Sequence, residues 1–302
     1  MKTIVGITGT TSVGKSDVAV QLAKLMNTEV VSADSMQIYK GMDIGTAKIR
    51  REEMQGVAHH MIDIVEPNVN YSSFLYQRDA SGIIDELKTT PIVVGGTGFY
   101  FDSLLYPPEF GNSTAERRAQ LQAILDSEGL IALQEMLKKL DEQTYNEIDL
   151  CNPKRVIRAI EIAECGKPKS QGHGKDKARY NLILFVLERD RKDLYAQIDS
   201  RVDKMIEQGL IDEVRNLVSK YGFCDTPAFS AIGYKEVIKY LQNKLSLSEA
   251  IAKIKLNTRH YAKRQITYYK KMDVHEVIDV QGKNSAEIAA YIYQQLAKLA
   301  QI

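Results

Sequence analysis

Eight residues near the start of the chain, Gly9-Thr10-Thr11-Ser12-Val13-Gly14-Lys15-Ser16, have the types and spacing that hold phosphate. They fit G-x-x-x-x-G-K-[ST], in which glycines let the backbone curl until several N–H groups converge on one anion. Lys15 adds a mobile full charge for terminal phosphate oxygens, and the Ser16 hydroxyl is the expected ligand for a bound Mg²⁺. The motif requires a strand before it and a helix after it, and both are legible. Thr3–Thr8 is short and β-rich, while Asp17–Met26 sets Val18, Leu22, Leu25 and Met26 at helical spacing. The helix N-terminus adds partial positive charge to the cradle. A polyphosphate is the expected ligand.

Two further polar features follow strand-like runs. Asp34 comes after Glu29–Ser32, where a carboxylate facing bound phosphates can assist a metal or accept a proton; the same residue type also closes turns. Gln37, just beyond it, carries an amide able to bond two edges of a base. Thr97 lies in Gly95-Gly96-Thr97-Gly98, a tight turn that lets backbone approach a ligand closely, although turn chemistry alone also accounts for it. The run before it, Pro91–Val94, is continuously apolar, as in a strand buried on both faces of a parallel sheet. In such sheets ligands collect at the carboxyl ends of strands, so the loop, Asp34 and Thr97 are expected at one rim. His59-His60 lacks Cys or carboxylate partners at ligand spacing and reads as structural.

The elements that must hold these groups alternate between strand and helix over the first third, with a helix over Tyr71–Lys88 and another opening at Phe99. That alternation predicts an α/β fold, a phosphate-loop NTPase-like parallel sheet flanked by helices. After Tyr106-Pro107-Pro108 the pattern turns helical, with candidates Ala115–Glu128, Leu130–Leu140 and Pro153–Cys165. Gly166–Gly174 reads as a loop, and Leu182–Leu187 returns as a buried strand. The expected division is therefore a core of residues 1–111 and 178–302 with an inserted all-helical subdomain over 112–177, placed to act as a lid or clamp. Asp190 and Asp193 start a helix to about Gln208, followed by Leu210–Lys220. A Ser246/Glu249 capping box opens a helix to about Lys271, Val274–Ile278 is a last strand, and Asn284/Glu287 cap the terminal helix.

Bulk properties exclude several classes. The 302 residues are 44% apolar and 26% charged with a net charge of +1, so no global charge draws the chain to nucleic acid or membrane. A polyanion must be held by a local cluster, and one exists. Between Ala250 and Lys271 there is no Asp or Glu, while Lys253, Lys255, Arg259, Lys263, Arg264, Lys270 and Lys271 are interleaved with His260, Tyr261, Tyr268 and Tyr269. That mix suits a nucleic-acid backbone with unpaired bases to stack. Cys151, Cys165 and Cys224 are too scattered for a disulfide framework or zinc site and read as reduced thiols. The apolar run after Met1-Lys2 ends at the phosphate loop, and no run is long enough to span a bilayer, so a cytoplasmic protein without a signal peptide is expected.

Taken in order, these stretches resemble the tRNA dimethylallyltransferase (tRNA isopentenyltransferase) family. The matching runs are Gly9–Ser16, Ser32–Lys48, His59–Asp63, Val94–Tyr100, Asn152–Ala159, Ala231–Glu236 and Lys263–Thr267, with the Asp34–Lys48 and Arg264-Gln265 blocks the most specific. The resemblance implies transfer of a dimethylallyl group from dimethylallyl diphosphate to N6 of adenosine 37, beside the anticodon of tRNA. It implies Gly9, Thr10, Thr11, Ser12, Val13, Gly14, Lys15 and Ser16 around the diphosphate, with Asp34 as general base and Thr97 near the amine. Ser35, Met36 and Gln37 would surround the target nucleotide. Arg118, Lys154, Arg155, Val156, Ile157 and Arg158 would be tRNA contacts of the insertion; Ser230, Ala231, Ile232, Gly233, Tyr234 and Lys235 would form a tRNA-facing turn. Arg259, Lys263 and Arg264 are expected to meet tRNA from the basic segment. Ser230 replaces a longer polar or basic residue, and Tyr268 a tryptophan, of many members. The rival readings are a small-metabolite kinase using the loop for ATP and a nucleotide switch. The only Asn-Lys, Asn243-Lys244-Leu245-Ser246, lacks the acid of a switch's base-reading motif. No partner subunit is implied, and a monomer is the default.

Overall fold

The computed structural model describes residues 1–106, 115–165 and 178–299. Six strands form one sheet in the order β3-β2-β4-β1-β5-β6, every pairing parallel. They are β1 (Thr3–Gly9), β2 (Val30–Ser32), β3 (His59–His60), β4 (Ile92–Val94), β5 (Asn181–Glu188) and β6 (Glu276–Asp279). β1 lies between β4 and β5, which explains its unbroken apolar character: Ile4, Val5 and Ile7 are buried on both faces. The expected histidine pair is the edge strand β3. His59 Nδ1 lies 2.9 Å from the Val57 carbonyl and His60 Nε2 2.5 Å from Glu29, a structural use of both rings.

Helices cover the sheet. α1 (Lys15–Met26) buries Val18, Ala19, Leu22 and Ala23; α2 (Ser73–Glu86) begins two residues later than its periodicity suggests because Ser72 caps it, accepting from Leu75 N. α3 (Gly98–Leu105) follows β4 directly.

The chain folds into two compact units, one of Met1–Leu105 with Arg179–Ile302 and one of Tyr106–Ala178. The expected junctions at 111/112 and 177/178 and the Gly166–Gly174 loop fall largely or wholly outside the described residues. The second unit contains α4 (Ala115–Glu128), α5 (Leu130–Leu140), α6 (Glu142–Glu147) and α7 (Pro153–Glu164). α6 has no apolar stripe to reveal it; Asp141 starts it by accepting from Thr144 N at 3.0 Å and from Thr144 Oγ1 at 2.6 Å. α7 opens with Asn152 as cap and Pro153 in the first turn. Leu121, Leu133, Leu137, Val156 and Ile160 form this unit's core. Val156 and Ile157, expected as tRNA contacts, are buried there and have almost no side-chain surface to present.

The rest of the first unit is mainly helical: α8 (Arg191–Glu207), α9 (Leu210–Tyr221), α10 (Tyr234–Leu241), α11 (Leu247–Tyr269) and α12 (Ser285–Leu299). α12 packs Ile288, Ala289 and Ile292 into the same core as α1. α10 has no counterpart in the sequence reading; the turn expected over Ser230–Lys235 becomes a helix start because Glu236 Oε2 accepts the Gly233 N–H at 2.8 Å. A second core joins Leu210, Val214, Tyr234, Val237 and Ile254 to Ile38, Tyr39 and Met42, and so fixes an irregular segment whose backbone pairing is one isolated bridge, Tyr39 with Val65. No helix among the described residues is long and apolar enough to cross a membrane.

In the second unit the Glu161 side chain is 1% exposed and takes Arg118 at 2.8 and 2.9 Å and Arg158 at 2.9 Å. Burial pushes this carboxyl up, and the hydrogen bonds from the two arginines more than offset it, so its pKa lies below the usual value. A depressed pKa stabilises the fold above the unfolded value and is lost as pH falls through the folded one. Glu161→Gln is therefore expected to cost about 1–3 kcal/mol at pH 7, with both arginines partly exposed holding it to the lower end. Circular dichroism melts should show that deficit shrinking toward zero below about pH 4.

Candidate active site

The phosphate loop takes its shape from two left-handed residues. Gly14 (φ 92°) ends it as the N-cap of α1, and Ser12 adopts φ 64°, uncommon for a residue with a side chain. Val13 is buried beneath the loop and holds it to the core. Thr10 Oγ1 and Ser12 Oγ are buried with no hydrogen-bond partner, a costly state that an anion in the loop would relieve. The first N–H groups of α1 have no intrahelical acceptors and add partial positive charge at this end of the helix. Lys15 reaches back to the Thr10 carbonyl at 2.6 Å. Part of its surface faces the cavity, yet the protein crowding its ammonium pushes the pKa down to about 7; Asp34 raises it and Arg201 lowers it.

Asp34 follows β2, where Ala33 N donates to the Val94 carbonyl at 2.7 Å. Its Oδ1 accepts from Met36 N at 2.9 Å and Gln37 N at 3.4 Å, closing the turn. Gly95 stands where any Cβ would collide with the Ala33 carbonyl, so only glycine lets the ends of β2 and β4 meet this closely. Thr97 uses that proximity: its Oγ1 accepts from Ser35 N at 3.1 Å and donates to Ser35 Oγ at 3.3 Å. Asp34, Ser35 and Thr97 thus form one connected corner. Met36 packs against the core of α9 and α10, and Gln37 donates to the carbonyls of Thr46 and Ala47, each at 3.4 Å.

The segment after Gln37 has one short stretch of backbone pairing, with Lys40 N on the Val65 carbonyl and Ile64 N on the Ile38 carbonyl at 2.9 and 2.8 Å, and is otherwise pinned by charge. The Lys48 side chain, 4% exposed, donates to Tyr39 O at 2.7 Å, Asp43 at 2.7 Å and Asp63 at 2.5 Å. Glu213 on α9 accepts from the backbone of Asp43, Ile44 and Gly45 at 2.9, 2.7 and 3.1 Å. Tyr234 donates to the same carboxylate at 2.6 Å and is buried, so this member of the expected tRNA-facing turn is an anchor; Gly233 is buried beside it, while Ser230 is exposed and Ala231, Ile232 and Lys235 keep partial exposure.

These parts enclose a cavity of about 680 Å³ lined by Lys15, Ser16, Asp34, Gln37, Gly95 and Gly96. A further wall is a face of α8, Gln197, Ser200, Arg201, Lys204 and Met205, at spacings of three and four, with Gln208 capping the helix end. Burial lowers the Arg201 pKa, and among the described residues no carboxylate lies within ion-pair distance of it. Sequence reasoning missed Arg201 because α8 carries no motif; only its helical period could have pointed there. Tyr261 and Gln265 enter the cavity from α11.

The basic helix differs from its sequence reading in two ways. The acids absent from it are supplied by α8, as Lys255 pairs with Asp203 at 2.7 Å and Arg259 with Asp199 at 3.5 Å. Its tyrosines turn inward: Tyr268 donates to Asp102, and Tyr269 OH to the carbonyls of Gly9 and Gly96 at 2.8 and 3.1 Å. Lys263 and Arg264 remain exposed, with Arg264 over the Tyr261 ring at 5.7 Å. In the second unit Lys154 and Arg155 are exposed, Arg155 lying 3.6 Å from Asp149. Among the described residues no group of three or more His, Cys, Asp or Glu could hold a metal unaided.

A parallel sheet with a glycine cradle after its central strand, and an acid facing the same cavity, defines a phosphate-loop protein. The chain belongs to the IPP transferase family, whose model matches residues 37–272; the Isopentenyl transferase model matches residues 2–69. It is 44% identical over 301 residues to the tRNA dimethylallyltransferase of Clostridioides difficile (strain 630), covering 95% of this chain and 96% of that one. It is 43% identical over 310 residues to the enzyme of the same name from Caldanaerobacter subterraneus subsp. tengcongensis, covering 97% of each. The crystal structure of a tRNA isopentenylpyrophosphate transferase from Bacillus halodurans is similar, with a TM-score of 0.74, 38% identity and coverage of 100% and 99%. A eukaryotic dimethylallyltransferase acting on tRNA gives a TM-score of 0.85 at 27% identity, with coverage of 99% of this chain and 80% of that one.

Arg201→Ala is expected to weaken binding of inorganic diphosphate by about 10–100-fold, the worth of one charge-assisted hydrogen bond, in isothermal titration. Equal affinity in the variant would remove Arg201 from the anion site.

Proposed function

We propose that this chain transfers a dimethylallyl group from dimethylallyl diphosphate to N6 of adenosine 37 in tRNA and releases diphosphate. The observation that carries this reading is that Lys15 and Asp34 face one cavity, an anion cradle after β1 and a proton acceptor after β2, with only β4 between the two strands. Membership of the family supports it.

An exocyclic amine is a weak nucleophile, so the reaction is drawn from the leaving-group side. As the carbon–oxygen bond breaks, negative charge grows on the diphosphate and cationic character on the allylic carbon. The loop N–H groups, Lys15 and Arg201 stabilise that growing charge from fixed positions. The amine nitrogen closes on the carbon, and its proton passes to Asp34, the general base. Thr97, held against Ser35, would orient the amine, and Gln37 would receive an edge of a base taken out of its stack. Lys263, Arg264 and the exposed Ser230 would meet the RNA backbone, as would Arg118, Lys154, Arg155 and Arg158 of the helical unit. Arg259 contributes less, because Asp199 already engages it.

The Ser16 hydroxyl, which lines the cavity, would hold a phosphate-bound Mg²⁺, and that ion would add Lewis-acid stabilisation of the leaving group. A cytoplasmic monomer completes the reading, in keeping with three free cysteines. A small-metabolite kinase would explain the loop but leaves the pinned segment from Asp34 to Lys48 and the family membership without a purpose.

Mass-spectrometric nucleoside analysis of tRNA incubated with the protein and dimethylallyl diphosphate should detect N6-dimethylallyladenosine at position 37; unmodified tRNA together with ATP consumption would favour the kinase. Lys15→Ala should abolish turnover and leave tRNA affinity nearly intact, which filter binding checks. Asp34→Ala should slow single-turnover transfer by about 10²–10⁴-fold with little change in binding of either substrate.

A further inference from the structure

Transfer needs a set distance between the allylic carbon and the amine, and different loops hold the two. The cradle follows β1, whereas the turn Gly95–Gly98, with Thr97 and through it Ser35, follows β4. Sheet pairing ties these strands only as far as Ile7 and Val94, with Gly95 N on the Ile7 carbonyl at 3.2 Å and Thr8 Oγ1 on the Gly95 carbonyl at 2.8 Å. Beyond that point the link is made by a helix whose contact residue lies 254 positions from Thr11 and 169 from Gly96.

Gln265 of α11 is 4% exposed and uses both ends of its amide. Its Oε1 accepts the Thr11 N–H at 2.9 Å, and its Nε2 donates to the Gly96 carbonyl at 2.8 Å. The fit leaves no slack, since a Cβ on Gly96 would collide with that Nε2. One turn on, Tyr269 OH spans the carbonyls of Gly9 and Gly96. An apolar side chain could fill the same space but would leave the Thr11 N–H without its acceptor. A buried amide shared between two loop backbones is instead a spacer, because its planar geometry fixes how far apart Thr11 and Gly96 lie.

We infer that Gln265 is a positioning residue that sets the separation of the donor cradle from the acceptor corner, acting on the chemical step and on neither binding step. This rests on the transferase reading above. Misplacement of reacting groups by about 1 Å can cost about 10²-fold in rate, so removing the spacer should appear in the rate of transfer first.

The test compares wild type with Gln265→Leu and Tyr269→Phe. In single turnover at saturating substrates, Gln265→Leu should transfer about 30–100-fold more slowly, with KM for dimethylallyl diphosphate and Kd for tRNA within about threefold of wild type. Tyr269→Phe should show the same split with a smaller loss. Hydrogen exchange followed by mass spectrometry should report faster exchange in Gly9–Ser16 and in Gly95–Gly98 together. A single-turnover rate within about twofold of wild type, a loss confined to KM or Kd, or loosening of one loop alone would overturn the inference. Should Gln265→Leu fail to fold, Gln265→Glu keeps an acceptor for Thr11 N–H and sets a carboxylate against the Gly96 carbonyl. Slow transfer at unchanged KM then upholds the inference, and wild-type transfer overturns it. Wild-type protein that binds diphosphate but leaves tRNA unmodified overturns the transferase reading itself, a failure seen before any variant is compared.

Discussion

Backbone N–H groups that converge on a point are best completed by something negative, and the loop from Gly9 to Ser16 imposes that demand on the rest of the core unit. A curl of this kind needs a rigid strand entering and a helix leaving, with Val13 buried to hold the bend. It also needs parallel neighbours. Only when β2 and β4 run in the same direction as β1 do their carboxyl ends bring Asp34 and Thr97 to the rim where the anion sits. Gly95 permits the final approach, because a side chain there would strike the Ala33 carbonyl.

The acceptor side has a single bridge, Tyr39 with Val65, to shape it, and charge does most of the remaining work. Lys48 gathers Tyr39, Asp43 and Asp63, and Glu213 gathers three consecutive backbone N–H groups together with the Tyr234 hydroxyl. A carboxylate accepting several N–H bonds is a strong local organiser, since each bond is charge-assisted. Leu210, Val214 and Val237 pack beneath the same segment, so apolar burial and hydrogen bonding fix it from two sides. The result is a loop as well placed as a strand. In the helical unit Glu161 plays a comparable part, holding Arg118 and Arg158 in fixed positions while leaving both guanidinium groups part exposed. Basic side chains held in this way can meet a phosphate backbone with less loss of rotamer freedom.

The long helix α11 has two unlike faces. Lys263 and Arg264 look to solvent, and Tyr261, Gln265 and Tyr269 look to the strand ends. Its cations are also partly spoken for by Asp199 and Asp203 of α8, which tie the two helices side by side. α8 in turn gives its other face to the cavity. A single pair of helices therefore supplies a cavity wall, a strut across two loops and an exposed basic strip.

The residues that do local work were legible without a fold. The glycine loop, Asp34 at a strand end, Thr97 in its turn and the caps at Ser246 and Asn284 announce themselves because their signals span a few positions. The sheet elements were legible for the same reason, as runs such as Pro91–Val94 are apolar on both faces. Tertiary structure alone decided the rest. Val156, Ile157 and Tyr234 look available in the sequence but lie in cores. Arg259 looks unpaired until Asp199 arrives from another helix, and Tyr268 and Tyr269 turn inward to Asp102 and to the carbonyls of Gly9 and Gly96. Arg201 carries no motif, and Gln265, though part of the Arg264-Gln265 block, shows nothing there of the two loops it bridges. Their partners are distant in the chain, and a contact between remote segments leaves no spacing to read; only packing brings it into being.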